Sequence, residues 1–208
     1  MKSDIIGTTL TQRFEVQTWK APREPVVLSD LWDEKNVLIK LFRRFGCPLC
    51  RLEAAKLSKY KDEFEKLDIK VVGVGFDELG LEEWTEGEYW KFDLFMDPEY
   101  SIYKNLELSR YGWVKGILTC LGSQEQRASQ LARKEKVGGN MTVGDGFQLG
   151  GCLVVEKGGK VTYAFQQEGY ADYPLLSEII ESCGGDPSVI DKEDDVISRS
   201  CATGSCKL

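Results

Sequence analysis

Short apolar runs alternate along this chain with stretches whose apolar residues recur every three or four positions. Val37-Leu-Ile-Lys-Leu-Phe42 is a compact β-rich run and reads as a buried strand. After Pro48 the period changes. Leu49, Leu52, Ala55, Leu57, Tyr60, Phe64 and Leu67 fall mainly at three- and four-residue steps, with Lys and Glu between them. That spacing predicts an amphipathic helix of about four turns. Ile69 to Val74 returns to a buried strand. Residues 37–74 therefore read strand, turn, helix, strand, a unit that implies parallel strands and a right-handed crossover.

The flanking segments complete an α/β plan. Phe14 to Thr18 reads as a strand, and Pro22 and Pro25 mark a loop. Val26 to Leu31 leads to a break around Asp33–Asn36. A short helix over Glu82–Glu88, a strand over Phe92–Met96 and a helix to Leu106 follow. Ser123-Gln-Glu-Gln126 fits a capping box opening a helix to about Lys136. Residues 138–151 hold six glycines in fourteen positions and read as a loop. Cys152–Glu156 and Val161–Phe165 flank Lys157-Gly-Gly-Lys160, a hairpin signal. Asp172 is placed to cap a last helix running to Cys183, with Pro174 in its first turn. The order predicts a thioredoxin-like fold: a central mixed β-sheet flanked by helices on both faces. Residues 1–183 form that domain. Residues 184–208, acidic at Asp191–Asp195 and ending Ser200-Cys-Ala-Thr-Gly-Ser-Cys-Lys-Leu208, read as a flexible tail.

Composition narrows the chemistry. With 42% hydrophobic and 29% charged residues, the chain has the make-up of a soluble globular protein. Its net charge of −7 and lack of a long basic run argue against nucleic acid as a partner. The apolar runs are too short to span a membrane, and no secretory signal is visible, so a reducing, cytoplasmic setting is expected. There is no histidine, which removes histidine bases, Cys–His catalysis and histidine metal sites. Seven cysteines in a reducing compartment point to redox or metal chemistry before structural disulfides.

Phe42-Arg-Arg-Phe-Gly-Cys47-Pro-Leu-Cys50-Arg51 carries the strongest signal. A Cys-x-x-Cys pair sits where a buried strand turns into a helix. Unpaired N–H groups and the helix dipole there favour a thiolate at Cys47. Cys50, about one turn on, is close enough to attack a Cys47 intermediate and close a disulfide. Arg43, Arg44 and Arg51 add positive charge, either as substrate or thiolate contacts or as solvated surface. Zinc would need four N or S ligands and would have to recruit Cys201 and Cys206, so no metal is expected.

The segment Arg43-Arg-Phe-Gly-Cys-x-x-Cys-Arg51 resembles the peroxiredoxin-like 2 family, most closely its prostamide/prostaglandin F synthase branch. Val71-Val-Gly-Val-Gly75, Leu79-Gly-Leu81, Leu106–Tyr111, Gly138–Asn140 and Gly150–Val155 match in order, so the resemblance spans about residues 9–183. It implies a thioredoxin-like fold and reduction of the endoperoxide of prostaglandin H2 or its ethanolamide to F-type prostaglandin. It also implies NADPH as electron source, direct or through thioredoxin, with Cys47 and Cys50 as catalytic residues. The alternatives are a general thiol peroxidase for hydrogen peroxide or lipid hydroperoxides, and a non-catalytic redox-sensing module. Two departures stand out. Arg44 occupies the place of the Thr or Ser that peroxiredoxins carry three residues before the attacking cysteine. Gly150-Gly151 stands where thioredoxins place a cis-proline.

Other signals are weaker. Gly73-Val-Gly75 opens a dinucleotide fingerprint that fails at Glu78, leaving the cofactor-binding residues unknown. Cys120, Cys152 and Cys183 read as small buried hydrophobes. Cys201 and Cys206 suggest a second redox pair. Cys206-Lys207-Leu208 differs from the peroxisomal Ser-Lys-Leu address by sulfur for oxygen and offers a peroxisome-like organelle as the alternative location.

Overall fold

The computed structural model describes residues 5–199, the side chains of 196–199 excepted. Among the described residues, seven strands form one mixed sheet: β1 (Glu15–Thr18), β2 (Pro25–Val27), β3 (Val37–Leu41), β4 (Lys70–Gly75), β5 (Asp93–Met96), β6 (Gly151–Val155) and β7 (Val161–Gln166). Their spatial order is β2-β1-β5-β4-β3-β6-β7. Strands β3, β4 and β5 are mutually parallel, while β1, β6 and β7 join antiparallel.

The central strands are apolar on both faces because both are covered. Val37, Ile39 and Leu41 of β3 join one core with Val72, Val74, Leu153 and Tyr103. Leu38 points to the opposite core, with Val71, Cys152, Val154, Leu57 and Phe64. Helix α1 (Ser29–Glu34) and helix α5 (Ser101–Asn105) supply Trp32, Ile102 and Tyr103 to the first core. On the second face lie α2 (Pro48–Lys59), α3 (Lys61–Lys66) and α8 (Leu176–Ser182). Helix α4 (Leu81–Glu86) lies in the crossover between β4 and β5. No helix among the described residues is long and apolar enough to cross a membrane.

Several local expectations change. The predicted four-turn helix breaks at Tyr60, whose backbone leaves helical geometry (φ −98°, ψ 24°), giving α2 and α3. Spacing alone does not register that break, because Phe64 keeps the apolar period across it. Ser123 does not cap α7 (Ser123–Lys134): Gly122, in extended conformation, takes the cap position, and Gln126 donates instead to Leu121 O at 3.2 Å. Asp172 does not cap α8, which starts after Leu175; its carboxylate accepts the Glu168 N–H at 2.8 Å. Helix α6 (Trp113–Cys120) has no counterpart in the sequence reading.

The acidic stretch after Gly184 carries helical segments as far as it is described. Pro187–Val189 form a 3-10 turn and Lys192–Arg199 form α9. The acidic residues meet cations on α2: Asp194 contacts Lys56 at 2.9 Å and Lys59 at 2.8 Å, and accepts the Tyr60 hydroxyl at 2.6 Å. Cys201, Cys206 and the Cys206-Lys207-Leu208 end lie outside the described residues.

Candidate active site

Strand β3 delivers the chain to the site. The Phe42 N–H still donates to Val74 O at 2.8 Å, so the backbone leaves the sheet only at Arg43. Residues 43–47 are all buried. Cys47 is the N-cap of α2, extended at φ −78° and ψ 124°, with Pro48 in the first turn. Its carbonyl accepts the Arg51 N–H at 3.1 Å, the first bond of the helix. Cys50 follows in the first turn of α2 and is likewise buried.

The predicted arginines separate into two groups. Arg43 is 1% exposed and its Nη2 donates to Cys47 Sγ at 3.3 Å. Its Nε and Nη1 have no hydrogen-bond partner, and its guanidinium stacks over the Tyr170 ring at 4.5 Å. Arg44 is also buried; its Nη1 donates to Gly144 O at 3.5 Å and its Nε is unpartnered. Arg51 turns away from the sulfur. It donates from Nε to Phe45 O at 2.8 Å and from Nη2 to Glu83 at 2.9 Å, so it braces the loop.

This geometry splits the two thiols. The Cys50 hydrogen bond lowers the Cys47 pKa well below the ordinary thiol value; burial opposes it, and the Arg43 and Arg44 charges add to it. The same bond, with burial, raises Cys50 well above the ordinary value. Burial works against the Arg43 charge, but the facing Cys50 and Cys47 hold it more firmly protonated than free arginine. A thiol held toward its thiolate form thus lies beside one held protonated, with unpartnered guanidinium N–H groups of Arg43 and Arg44 nearby.

Further residues complete the site without having been singled out from sequence. Lys40 and Glu53 form a buried ion pair on the inner side of α2. The signal was present: a lysine inside a fully buried strand needs a paired anion. Burial raises the Glu53 pKa, and Lys40 opposes that rise. Tyr173 donates its hydroxyl to Leu49 O at 3.1 Å. Nothing in the sequence pattern distinguished Tyr170 and Tyr173 from ordinary core aromatics.

The 138–151 segment closes over the site, with Asn140 N–H donating to Gly46 O at 2.7 Å. Gly150 fills the cis-proline place. A Cβ there would collide with Leu41 O, and its N–H donates to Gln167 Oε1 at 2.9 Å. Cys47 has no exposed surface, so an oxidant reaches it only when this cover moves. A groove of about 900 Å³ is lined by Trp19, Trp84, Trp90, Lys20, Lys61 and Lys91 among others, but by neither cysteine. Its Trp84 wall backs onto Phe42 and Phe45. Among the described residues no group of three or more Cys, Asp or Glu side chains is placed to hold a metal. Of the other described cysteines, Cys152 is buried as expected, Cys183 is half-buried and Cys120 is exposed on α6, because that helix turns its apolar side outward.

Comparison with known proteins agrees with this architecture. The sequence model of the AhpC/TSA antioxidant enzyme family matches residues 56–169. The prostamide/prostaglandin F synthase of Salmo salar is 39% identical over 157 residues, covering 75% of this chain and 78% of that protein. The Xenopus tropicalis and Homo sapiens proteins of the same name are each 35% identical, covering 85% and 82% of this chain and 90% and 89% of theirs. Among solved structures, Enterococcus faecalis AhpC superposes with a TM-score of 0.60 at 11% identity, covering 86% of this chain and 90% of that one. Reduced 2-Cys peroxiredoxin of Plasmodium vivax gives 0.58 at 14%, covering 86% and 94%. These two likenesses establish the fold. Fold and sequence together show that the chain belongs to the AhpC/TSA antioxidant enzyme family, in the peroxiredoxin-like branch it shares with the prostamide/prostaglandin F synthases, and that it is an oxidoreductase, not a non-catalytic redox module.

Proposed function

We propose that this enzyme reduces O–O bonds of lipid endoperoxides, with prostaglandin H2 or its ethanolamide as substrate and F-type prostaglandin as product. The observation that carries the reading is the Arg43–Cys47–Cys50 arrangement at the start of α2. The Cys47 thiolate attacks one peroxide oxygen. The S–O bond forms as the O–O bond breaks, leaving a Cys47 sulfenate ester and an alkoxide that takes up a proton. The spare donors of Arg43 and Arg44 are suited to hold that alkoxide. Cys50, deprotonated, then attacks Cys47 Sγ, expels the second oxygen as an alcohol and closes the disulfide. Two electrons and two protons have passed to the substrate.

An external dithiol resets the pair. Direct hydride transfer to the sulfurs is disfavoured, because grooves of about 900 and 780 Å³ among the described residues are lined by neither cysteine and Cys47 has no exposed surface. We therefore put NADPH upstream, with electrons arriving through thioredoxin or a similar dithiol protein in the reducing cytoplasm.

The complete burial of Cys47 favours a second reading, a general thiol peroxidase, since hydrogen peroxide needs less opening than a lipid. Steady-state turnover with NADPH, with and without thioredoxin and its reductase, separates the two. The endoperoxide reading expects a higher kcat/KM for prostaglandin H2 than for hydrogen peroxide or a lipid hydroperoxide, and loss of turnover without thioredoxin. A preference for hydrogen peroxide selects the second reading.

A further inference from the structure

The buried cations around the two thiols are matched by carboxylates, with one exception. Lys40 is closed on Glu53, Arg51 on Glu83 and Lys56 on Asp194. Arg44 has the Asp77 carboxylate beside it, and its charge opposes the rise that burial imposes on the Asp77 pKa. Arg43 has no carboxylate partner among the described residues, and its one hydrogen-bond acceptor is Cys47 Sγ. Glu53 feels the Arg43 charge but is already taken by Lys40. The Tyr170 ring covers one face of the guanidinium, so hydrogen bonds leave it only in its plane. In that plane Nε and Nη1 stand without an acceptor. Residues 138–151, which cover the site, bring a single carboxylate, Asp145, and Arg110 holds it at 2.5 Å.

Oxidation removes the one anion that Arg43 has. Both thiols are free in this structure, and Cys47 is held toward its thiolate form. When the pair closes to a disulfide, two electrons leave it, the Cys50 proton is released and neither sulfur keeps a charge. The guanidinium stays charged, since arginine does not deprotonate in proteins. A buried cation deprived of its partner is strongly unfavourable. The oxidised protein therefore has to admit a new anion, or water, beside Arg43. Nη2 is then released along with Nε and Nη1, and adjacent donors of this planar fork match the two oxygens of a carboxylate. Arg44 Nε, also without an acceptor, stands on the next residue. Gly144 and Gly146 lie close against Arg44, so the cover meets it with backbone and with no side chain of theirs.

We propose that oxidation of the Cys47–Cys50 pair opens a carboxylate-binding site on Arg43, so that a bound carboxylate holds the enzyme in its disulfide form and opposes re-reduction. The site rests on the dithiol reading above, but not on the identity of the peroxide. The test equilibrates the full chain, carrying Cys120→Ser, with mixtures of reduced and oxidised dithiothreitol at pH 7. Two electrons pass to the ring disulfide of oxidised dithiothreitol, which takes up the Cys50 proton and one from solvent. Sodium chloride is exchanged for sodium formate or sodium decanoate at constant ionic strength, and alkylation with mass spectrometry reads the Cys47–Cys50 disulfide. The expected result is a saturable shift toward disulfide, about tenfold in the equilibrium constant at a carboxylate concentration ten times its dissociation constant. Arg43→Met abolishes the shift. Arg43→Lys, which keeps the charge and loses the planar fork, responds more weakly than wild type and guards against misfolding of the methionine variant. Lys115→Gln responds as wild type does. A shift with decanoate alone upholds the site and assigns it to a lipid carboxylate; a shift with formate upholds it for small carboxylates. A wild-type equilibrium indifferent to both carboxylates overturns the proposal and leaves the dithiol reading intact, water then serving the freed guanidinium. An equal shift in Arg43→Met also overturns it. If no Cys47–Cys50 disulfide forms, the proposal falls together with the dithiol reading.

Discussion

Replacing Arg43 by methionine removes a buried cation whose Nη2 stands 3.3 Å from Cys47 Sγ. Two unit charges about 4 Å apart interact by about 4 kcal/mol at an effective dielectric of 20. Water entering the vacated space returns part of that, leaving the ~1.5–3 kcal/mol of a charge-assisted hydrogen bond. At about 1.4 kcal/mol per unit, the Cys47 pKa rises by roughly 1–2 units. The sign follows from the charge: without the cation the thiolate is less stable, so the depressed pKa moves back toward the free value of about 8.5. The Cys50 hydrogen bond is the larger cause of the depression and the Arg44 charge the smaller. Arg43 donates to the sulfur while Arg44 donates to Gly144 O, so the shift is larger in Arg43→Met than in Arg44→Met. Thiolate absorbance at 240 nm, followed against pH in variants lacking Cys120, reads each midpoint. An Arg43→Met midpoint within 0.3 units of wild type, or an Arg44→Met shift exceeding that of Arg43→Met, would refute this account of the thiolate.

Three further outcomes follow from the same structure. Lys40→Met leaves Glu53 buried without its ion pair, and urea denaturation is expected to show a loss of about 3–5 kcal/mol, most of it recovered in Lys40→Met/Glu53→Leu; a loss below about 1 kcal/mol contradicts the pairing. Burial opposes ionisation of Asp194, but hydrogen bonds from Lys59, Tyr60 and Lys56 hold its pKa down to about 2. Its stabilisation is thus present above the ordinary carboxylate pKa and lost as pH falls toward 2. Asp194→Asn should cost roughly 1 kcal/mol at pH 7 after solvent screening, shrinking between about pH 4 and 2 in thermal melts. In the native protein iodoacetamide should label exposed Cys120 rapidly and leave Cys152, whose pKa burial pushes up to about 12, until unfolding. Mass spectrometry of tryptic peptides reads the order.

The parts of the fold legible in sequence are those where burial and period coincide. Val37–Phe42 and Ile69–Val74 are apolar on both faces because helices cover both, and that continuous pattern marks central parallel strands. The Cys-x-x-Cys position was legible because a helix start follows a strand end. Arg43 was only half legible. Its charge was visible, but its complete burial against the sulfur depends on Tyr170, 127 positions away, and on the cover formed by residues 138–151. Helix α6 escaped notice because helix reading assumes that apolar residues face a core, and here they face outward. The docking of α9 escaped because an acidic run reads as solvated unless the cations of α2 are known to meet it.

The central claim is that one O–O bond is reduced by one dithiol, Cys47 attacking and Cys50 resolving. Its most direct measurement is a single turnover of the reduced enzyme with one equivalent of peroxide, followed by mass spectrometry. The account predicts an intramolecular Cys47–Cys50 disulfide in wild type and one oxygen retained on Cys47 in Cys50→Ser. It also predicts no reduction in Cys47→Ser. Oxidation centred on another cysteine, or full reduction by Cys47→Ser, would contradict it.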